Sequence, residues 1–276
     1  MIKAPLISTC ALASLFVSAL GSVAQAPQAT GQIAGITHIA YRVTDLDREV
    51  AFFGKLGFQK AFTIAANGKT TEVVVKVNDR QFFEIYPQTD PSQPLGWMHV
   101  SYEVGDLSAF VPVIAAHGLK PSPIAKTAAG NLFFTLKDPD GRITEFTQFM
   151  PGSRHTADRG QHLGPNRVST GILGLELPVT DLKASNAFYN HLGFDVEDTG
   201  NGLRLSLDTN SDLRIELPQY RPGLKVQVLL PVEDAHAAAN QLQAAGVNAN
   251  LHGKLVFVQD PEGNSLVLLE TSGSAK

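Results

Sequence analysis

The sequence predicts an α+β fold in which four βαβββ-type modules pair into two domains, each a curved mixed sheet with helices on its outer face. Three observations carry that prediction. First, an apolar strand-like run ends in an acidic helix start four times: Val43-Thr44-Asp45-Leu46, Val104-Gly105-Asp106-Leu107, Val179-Thr180-Asp181-Leu182 and Val232-Glu233-Asp234-Ala235. Each helical pattern closes at a glycine, Gly57, Gly118, Gly193 or Gly246, twelve residues after its Asp. An Asp carboxylate accepts the unpaired N–H groups of a first helical turn, and Gly takes the left-handed position past the last one. Second, every helix leads into strand-like runs, and the turn Asp138-Pro139-Asp140-Gly141 recurs as Asp260-Pro261-Glu262-Gly263. Third, residues 150–170 are rich in Gly, Pro and polar side chains with no apolar period, which reads as a linker.

The expected domains are therefore 27–150 and 171–276, joined by 151–170. Pro112 falls inside the second helical pattern and is tolerated there only near the helix start, where few backbone donors are engaged. Residues 1–26 combine Lys3, an apolar run from about Leu6 to Leu20 and the small-residue pattern Ala24-Gln25-Ala26, so an export signal cleaved after Ala26 is expected. The expected location is periplasmic or secreted, since the apolar run is shorter than the roughly 20 residues a membrane span needs. The one cysteine, Cys10, lies inside that segment, so the mature chain has neither a disulfide nor a thiolate nucleophile.

The 276-residue chain carries 22 basic and 26 acidic side chains. Loss of Lys3 makes the balance one unit more negative. That excess argues against nucleic acid and against an anionic membrane surface, and leaves a small molecule as the expected partner.

Strand alternation sets what lines the open face of the first sheet. His38 shares a face with Ile36, Ala40 and Arg42, and Glu84 with Phe82 and Tyr86. His99 lies with Trp97, Ser101 and Glu103, and Glu145 with Ile143 and Thr147. The opposite faces are apolar enough to pack under helices, although Tyr41 and Tyr102 also fall there. A single strand His is ordinarily a hydrogen-bonded or surface residue. Two His and two Glu on one face are costly to bury unless they pair with each other or with a cation, so a divalent metal site stands against a metal-free polar pocket. Arg42 and Glu103 would hold an anionic group or pair with each other. Tyr86 and Trp97 would wall a substrate or pack at the rim, and Ser101 is expected in the same substrate pocket.

These modules, with a His at the start of the first two, the Val-Thr-Asp-Leu helix start, the Leu56-Gly57-Phe58 exit and the ending from Asp138 to Phe146, resemble the vicinal oxygen chelate superfamily. It includes glyoxalase I, fosfomycin and bleomycin resistance proteins, methylmalonyl-CoA epimerase and extradiol dioxygenases. The resemblance implies one divalent ion (Fe, Mn, Ni, Co or Zn) held by His38, Glu84, His99 and Glu145 in the glyoxalase manner, or Fe(II) held by His38, His99 and Glu145 alone in the dioxygenase manner. It also implies a substrate that offers two neighbouring oxygens to the metal. Glu84 and Glu145 are the candidate catalytic bases. In the second domain Gly174, Gln227 and Val267 stand where His38, His99 and Glu145 do, and only Glu216 is kept in place of Glu84.

Extradiol cleavage, by the same resemblance, wants a further pocket His as acid/base. His117 sits at a helix end, and His155 and His162 lie in the linker, where a solvated position is expected. Isomerase or lyase chemistry is favoured on that ground, with the dioxygenase as the alternative and a non-catalytic binding protein as a second one. An exported address argues against a glutathione-dependent reaction.

Overall fold

A computed structural model describes residues 32–271. The expected export signal at 1–26 lies outside the described residues. Among them no helix is long and apolar enough to cross a membrane.

The first half of the chain runs β1 (Ile33–Val43), α1 (Leu46–Lys55), β2 (Gln59–Ala66), β3 (Lys69–Lys76), β4 (Phe82–Pro87), β5 (Gly96–Val104), α2 (Leu107–Ala116), β6 (Ala125–Lys126), β7 (Leu132–Lys137) and β8 (Ile143–Gln148). After a single helical turn, α3 (Arg154–Ala157), the second half repeats the plan. It comprises β9 (Gly174–Glu176), α4 (Leu182–His191), β10 (Asp195–Asp198), β11 (Gly202–Leu207), β12 (Asn210–Pro218), β13 (Gln227–Val232), α5 (Ala235–Ala244), β14 (Ala249–His252), β15 (Leu255–Gln259) and β16 (Ser265–Glu270). Each half forms one eight-stranded mixed sheet, in the orders β2-β3-β4-β1-β5-β8-β7-β6 and β10-β11-β12-β9-β13-β16-β15-β14. The two orders are the same order, which is the duplication read from the sequence.

The four module helices are ten residues long, and Asp45, Asp106, Asp181 and Asp234 accept from first-turn N–H groups. Pro112 is the sixth residue of α2, one turn deeper than the position where its missing N–H costs nothing, and the helix runs through it. Helices α1 and α2 cover the face of the first sheet that buries Ile39, Tyr41, Phe83, Val100 and Phe146, and this core is continuous with that of the second half. Tyr102 of β5 meets Phe194 edge-on across the junction, ring centroids 5.4 Å apart.

Two matching latches join the halves. The turn between β7 and β8 docks on the start of α4: Asp140 accepts from the Thr180 amide and hydroxyl, and Arg142 donates to the Pro178 carbonyl at 2.7 Å. The turn between β15 and β16 docks on the start of α1: Glu262 accepts from the Thr44 amide at 2.8 Å, and Arg48 donates to the Pro261 carbonyl at 2.6 Å. The motifs repeated in sequence are thus among the contacts that hold the two halves together.

Of the three register shifts between β1 and β5, two break strict alternation beside the site. The β1–β5 register runs Ile36↔Tyr102, His38↔Ser101, Ala40↔His99 and Tyr41↔Trp97, so one extra residue bulges at Thr37 and another at Met98. A bulge flips the residues beyond it to the other face. Ile36 and Trp97, expected beside His38 and His99, therefore pack with the helix-side core.

The segment 151–170 is more than a linker. Ser153 caps α3, and Ser153, His155 and Asp158 are buried. Lys76, fully buried on β3, anchors the turn through its Nζ at 2.9 Å from Asp158 Oδ2 and 2.8 Å from Asp79 Oδ1.

Candidate metal centre

The open face of the first sheet gathers the four residues that the sequence singled out. His38 comes from the middle of β1, Glu84 from β4, His99 from β5 and Glu145 from β8, and all four are buried. Parallel pairing sets Ala40 beside Glu84 and Ser101 beside Glu145, so each Glu lies one strand away from a His on the same face.

The imidazoles face each other, with His38 Nε2 3.1 Å from His99 Nε2. Glu145 spans them, one oxygen 3.5 Å from His38 Nε2 and the other 3.7 Å from His99 Nε2. One ligand atom from each of His38, His99 and Glu145 lies within 4.8 Å of the other two. Glu84 reaches His38 Nε2 at 3.4 Å but stands outside that cluster of three.

Burial holds His38 and His99 neutral by lowering both to about 3. The Thr37 hydroxyl donates to the Ser101 carbonyl and so presents its lone pair to His38 Nδ1 at 3.3 Å. That fixes the proton of His38 on Nδ1 and turns the Nε2 lone pair into the cluster, the arrangement a metal-binding His requires. Both carboxyls are raised by burial, and Glu145 further by the Glu84 charge. Each accepts from a hydroxyl at 2.8 Å, Glu84 from Tyr86 and Glu145 from Thr147. Two neutral imidazoles and a carboxylate directed at one point are a donor set that fits a divalent cation.

A cavity of about 300 Å³ opens beside the cluster, lined by His38, Glu84 and Glu145 and walled by Glu72, Phe82 and His155 among others. Of the five residues expected to shape a substrate pocket, Tyr86 alone is among those lining it. Arg42 donates to the Pro94 carbonyl at 3.0 Å, and Glu103 is paired with Arg80, so the expected pairing of Arg42 with Glu103 does not form. Ser101 is fully buried against Thr147, and the bulge at Met98 has taken Trp97 to the core.

Among the lining residues that the sequence reading did not name is Glu72, which the register Val74↔Glu84 puts on the Glu84 face two residues along β3. His155, expected to be solvated, is 4 % exposed and sits with Nε2 3.8 Å from Glu84 Oε1. His162 remains at the surface side, paired with Asp158 at 2.5 Å.

The second sheet does not repeat the cluster. Its registers set Gly174, Gln227 and Val267 at the places of His38, His99 and Glu145. A Cβ on Gly174 would lie 1.5 Å from the Arg214 carbonyl oxygen, so the backbone admits no ligand side chain there. Glu216 accepts at 2.9 Å from Arg204, which stands on β11 at the place of Val74.

Several solved structures share this architecture. The 2,3-dioxygenase LapB from Pseudomonas sp. KL28 is 16% identical, with a TM-score of 0.66 over 87% of this chain and 93% of its own. A Mn(II)-bound glyoxalase from Novosphingobium aromaticivorans is 19% identical, with a TM-score of 0.66 over 86% and 82%. A catechol 2,3-dioxygenase is 14% identical, with a TM-score of 0.62 over 86% and 88%. At these identities the likeness is one of fold. No curated protein matches the chain. A family model does, over residues 35–146 and again over 171–268, the two segments that carry the two sheets. With its repeated topology and its buried His-His-Glu cluster, the chain belongs to the Glyoxalase/Bleomycin resistance protein/Dioxygenase superfamily.

Proposed function

We propose that the protein is a metal-dependent enzyme that moves a proton at a carbon beside a carbonyl, an isomerase or lyase acting on a small oxygen-rich substrate in the first-domain cavity. The observation that carries this reading is the position of Glu84. It faces the same cavity as His38 and Glu145 and yet stands outside the cluster of three donors, held by Tyr86. His38, His99 and Glu145 would hold the cation, which when bound acts as a Lewis acid toward two neighbouring substrate oxygens.

Glu84 is then the general base. Its Oε2 is oriented by the Tyr86 hydroxyl, and its Oε1 faces His155 across 3.8 Å. Phe82 lies against His155 at a ring-centroid distance of 4.6 Å and keeps water from that side of the base. Carrying the N-terminal expectation forward, the mature enzyme starts at Pro27 outside the cytosol, and N-terminal sequencing of exported material tests that start.

Glu84→Gln keeps the shape but removes the base. With Mn(II) loaded and a panel of small 2-oxo and 2-hydroxy acids in D₂O, wild type is expected to exchange a carbon-bound proton. Glu84→Gln is expected to lose about 10²–10⁴ in that rate while keeping its metal. Undiminished exchange in Glu84→Gln would remove Glu84 from the chemistry.

One observation favours the dioxygenase as the second reading. The absence of a pocket His argued against it in the sequence, and His155 is such a residue. Oxygen uptake with catechol after anaerobic Fe(II) loading, without proton exchange, would decide for it.

A further inference from the structure

The segment between the two domains places one polar ring in a largely aromatic cage. The ring of His155 lies 5.0 Å from that of Phe62, 4.6 Å from Phe82 and 5.8 Å from Phe149, measured between centroids. Its polar neighbours are Asn131 on one side and Glu84 on the other. Asn131 is 2 % exposed, and its amide has a defined orientation. The carbonyl oxygen Oδ1 accepts from the Met150 backbone amide at 3.1 Å, so the NH₂ group is the end that meets His155 Nδ1, at 3.0 Å. An amide NH₂ only donates, and Nδ1 must therefore accept. A neutral imidazole that accepts at Nδ1 carries its proton on Nε2. That N–H is directed to the cavity, where Glu84 Oε1 at 3.8 Å is beyond hydrogen-bond distance.

We infer that His155 is a substrate-binding donor. Asn131 fixes it as the Nε2–H tautomer, and it gives its hydrogen bond to an anionic oxygen, carboxylate or enolate, of the small molecule in the cavity. The inference rests on the reading of the cavity as the substrate site, and adds to it a requirement on the substrate: an oxyanion on the Oε1 side of Glu84. His155 contacts the substrate, and Asn131 is a positioning residue that acts through it. The ring is uncharged, because an Nδ1 that accepts from the Asn131 amide carries no proton, so it recognises its partner as a dipole donor.

Asn131→Asp tests this with little change of shape. The carboxylate still accepts from Met150 but presents an acceptor to Nδ1, which must then carry the proton, and Nε2 turns its lone pair to the cavity. Nitrogen-15 spectra of the metal-free full chain, with His155 assigned by loss of its signals in His155→Gln, read the tautomer directly. Wild type is expected to show Nε2–H, and Asn131→Asp is expected to show Nδ1–H. A wild-type Nδ1–H signal, or no change in Asn131→Asp, would overturn the inference.

Oxalate binding to the Mn(II)-loaded protein is the second measurement, with Mn(II) alone titrated first. Asn131→Asp and His155→Ala are expected to bind Mn(II) as wild type does and oxalate about tenfold more weakly, the size expected for a hydrogen bond to a charged group. His155→Gln, which keeps an N–H near the place of Nε2, is expected to recover most of that loss. Unchanged oxalate affinity in His155→Ala would overturn the inference with the metal reading intact. Failure of wild type to bind Mn(II) would defeat the metal reading and leave the tautomer spectra to decide on His155.

Discussion

Asp158→Ala is expected to lower stability by about 3 kcal/mol, the low end for removing one partner of a buried ion pair. The Lys76 side chain is fully buried and its ammonium is bonded to both the backbone and the carboxylate of Asp158, with Asp79 as its other anion. Asp79 is partly exposed and compensates some of the lost charge, which sets the estimate at the low end. At roughly 2–4 °C per kcal/mol for a chain of this size, Tm should fall by about 6–12 °C. The damage should reach the cavity too, because Asp158 follows α3 directly and α3 carries His155. Lys76→Met fills a similar volume without a charge and should cost less. Thermal unfolding of both variants checks this. An unchanged Tm in Asp158→Ala would mean that the 151–170 segment is not held down through Lys76.

Glu49→Gln is expected to raise Tm, and only above mildly acidic pH. The two latches between the halves differ at one pair of equivalent places. At one, Asp138 is paired with Arg142 at 2.7 Å, and the α4 position facing that turn is Ser185. At the other, Asn264 replaces the arginine beside Asp260, and α1 presents Glu49, 1 % exposed with neither oxygen hydrogen-bonded. Burial, and next the nearby Asp260 carboxylate, push Glu49 from 4.5 up to about 9. The folded state then holds this proton more tightly than the unfolded chain does. The stabilisation is complete below about pH 4.5 and is lost as pH rises toward 9.

At pH 7 the loss is on the order of 3 kcal/mol. The amide introduced by Glu49→Gln has nothing to ionise and an N–H to offer Asp260. The expected gain is about 6–12 °C at pH 7, shrinking to little at pH 5. Equal shifts at both pH values would show that the effect is packing and not ionisation.

The helices were legible because each is bounded by an Asp that accepts first-turn amides and a Gly with positive φ, such as Gly57 at 82° and Gly193 at 92°. Those are local requirements, and they repeat four times. The four candidate metal ligands were legible because alternation holds on the side of each bulge that carries them, from His38 to Ala40 on β1 and from His99 to Ser101 on β5. It failed for Ile36 and Trp97 because a bulge adds a residue to the pairing of two strands, and neither strand alone records it. The expected pairing of Arg42 and Glu103 failed for a related reason, since alternation gives a shared face but not a shared end of it.

The burial of His155 was missed because a single helical turn has no period to detect. What buries it is remote in sequence: Lys76 and Asn131 on and beside strands, and three aromatic rings. The residue that did record the burial was Lys76, a cation directly after Glu72-Val73-Val74-Val75. A lysine at such a place needs an anion from outside the sheet.

Metal content decides most about the account. The purified protein, analysed for transition metals as isolated and after anaerobic Fe(II) or Mn(II) loading, is expected to hold about one ion per chain, as its single His-His-Glu cluster among the described residues implies. His38→Ala and His99→Ala should weaken binding by more than about 100-fold while remaining folded, because losing even an outer-shell partner of a metal ligand costs roughly 10–100-fold. No bound metal under any of these conditions, with both variants folded and indistinguishable from wild type, would contradict the metal centre and leave a cavity that binds without this chemistry.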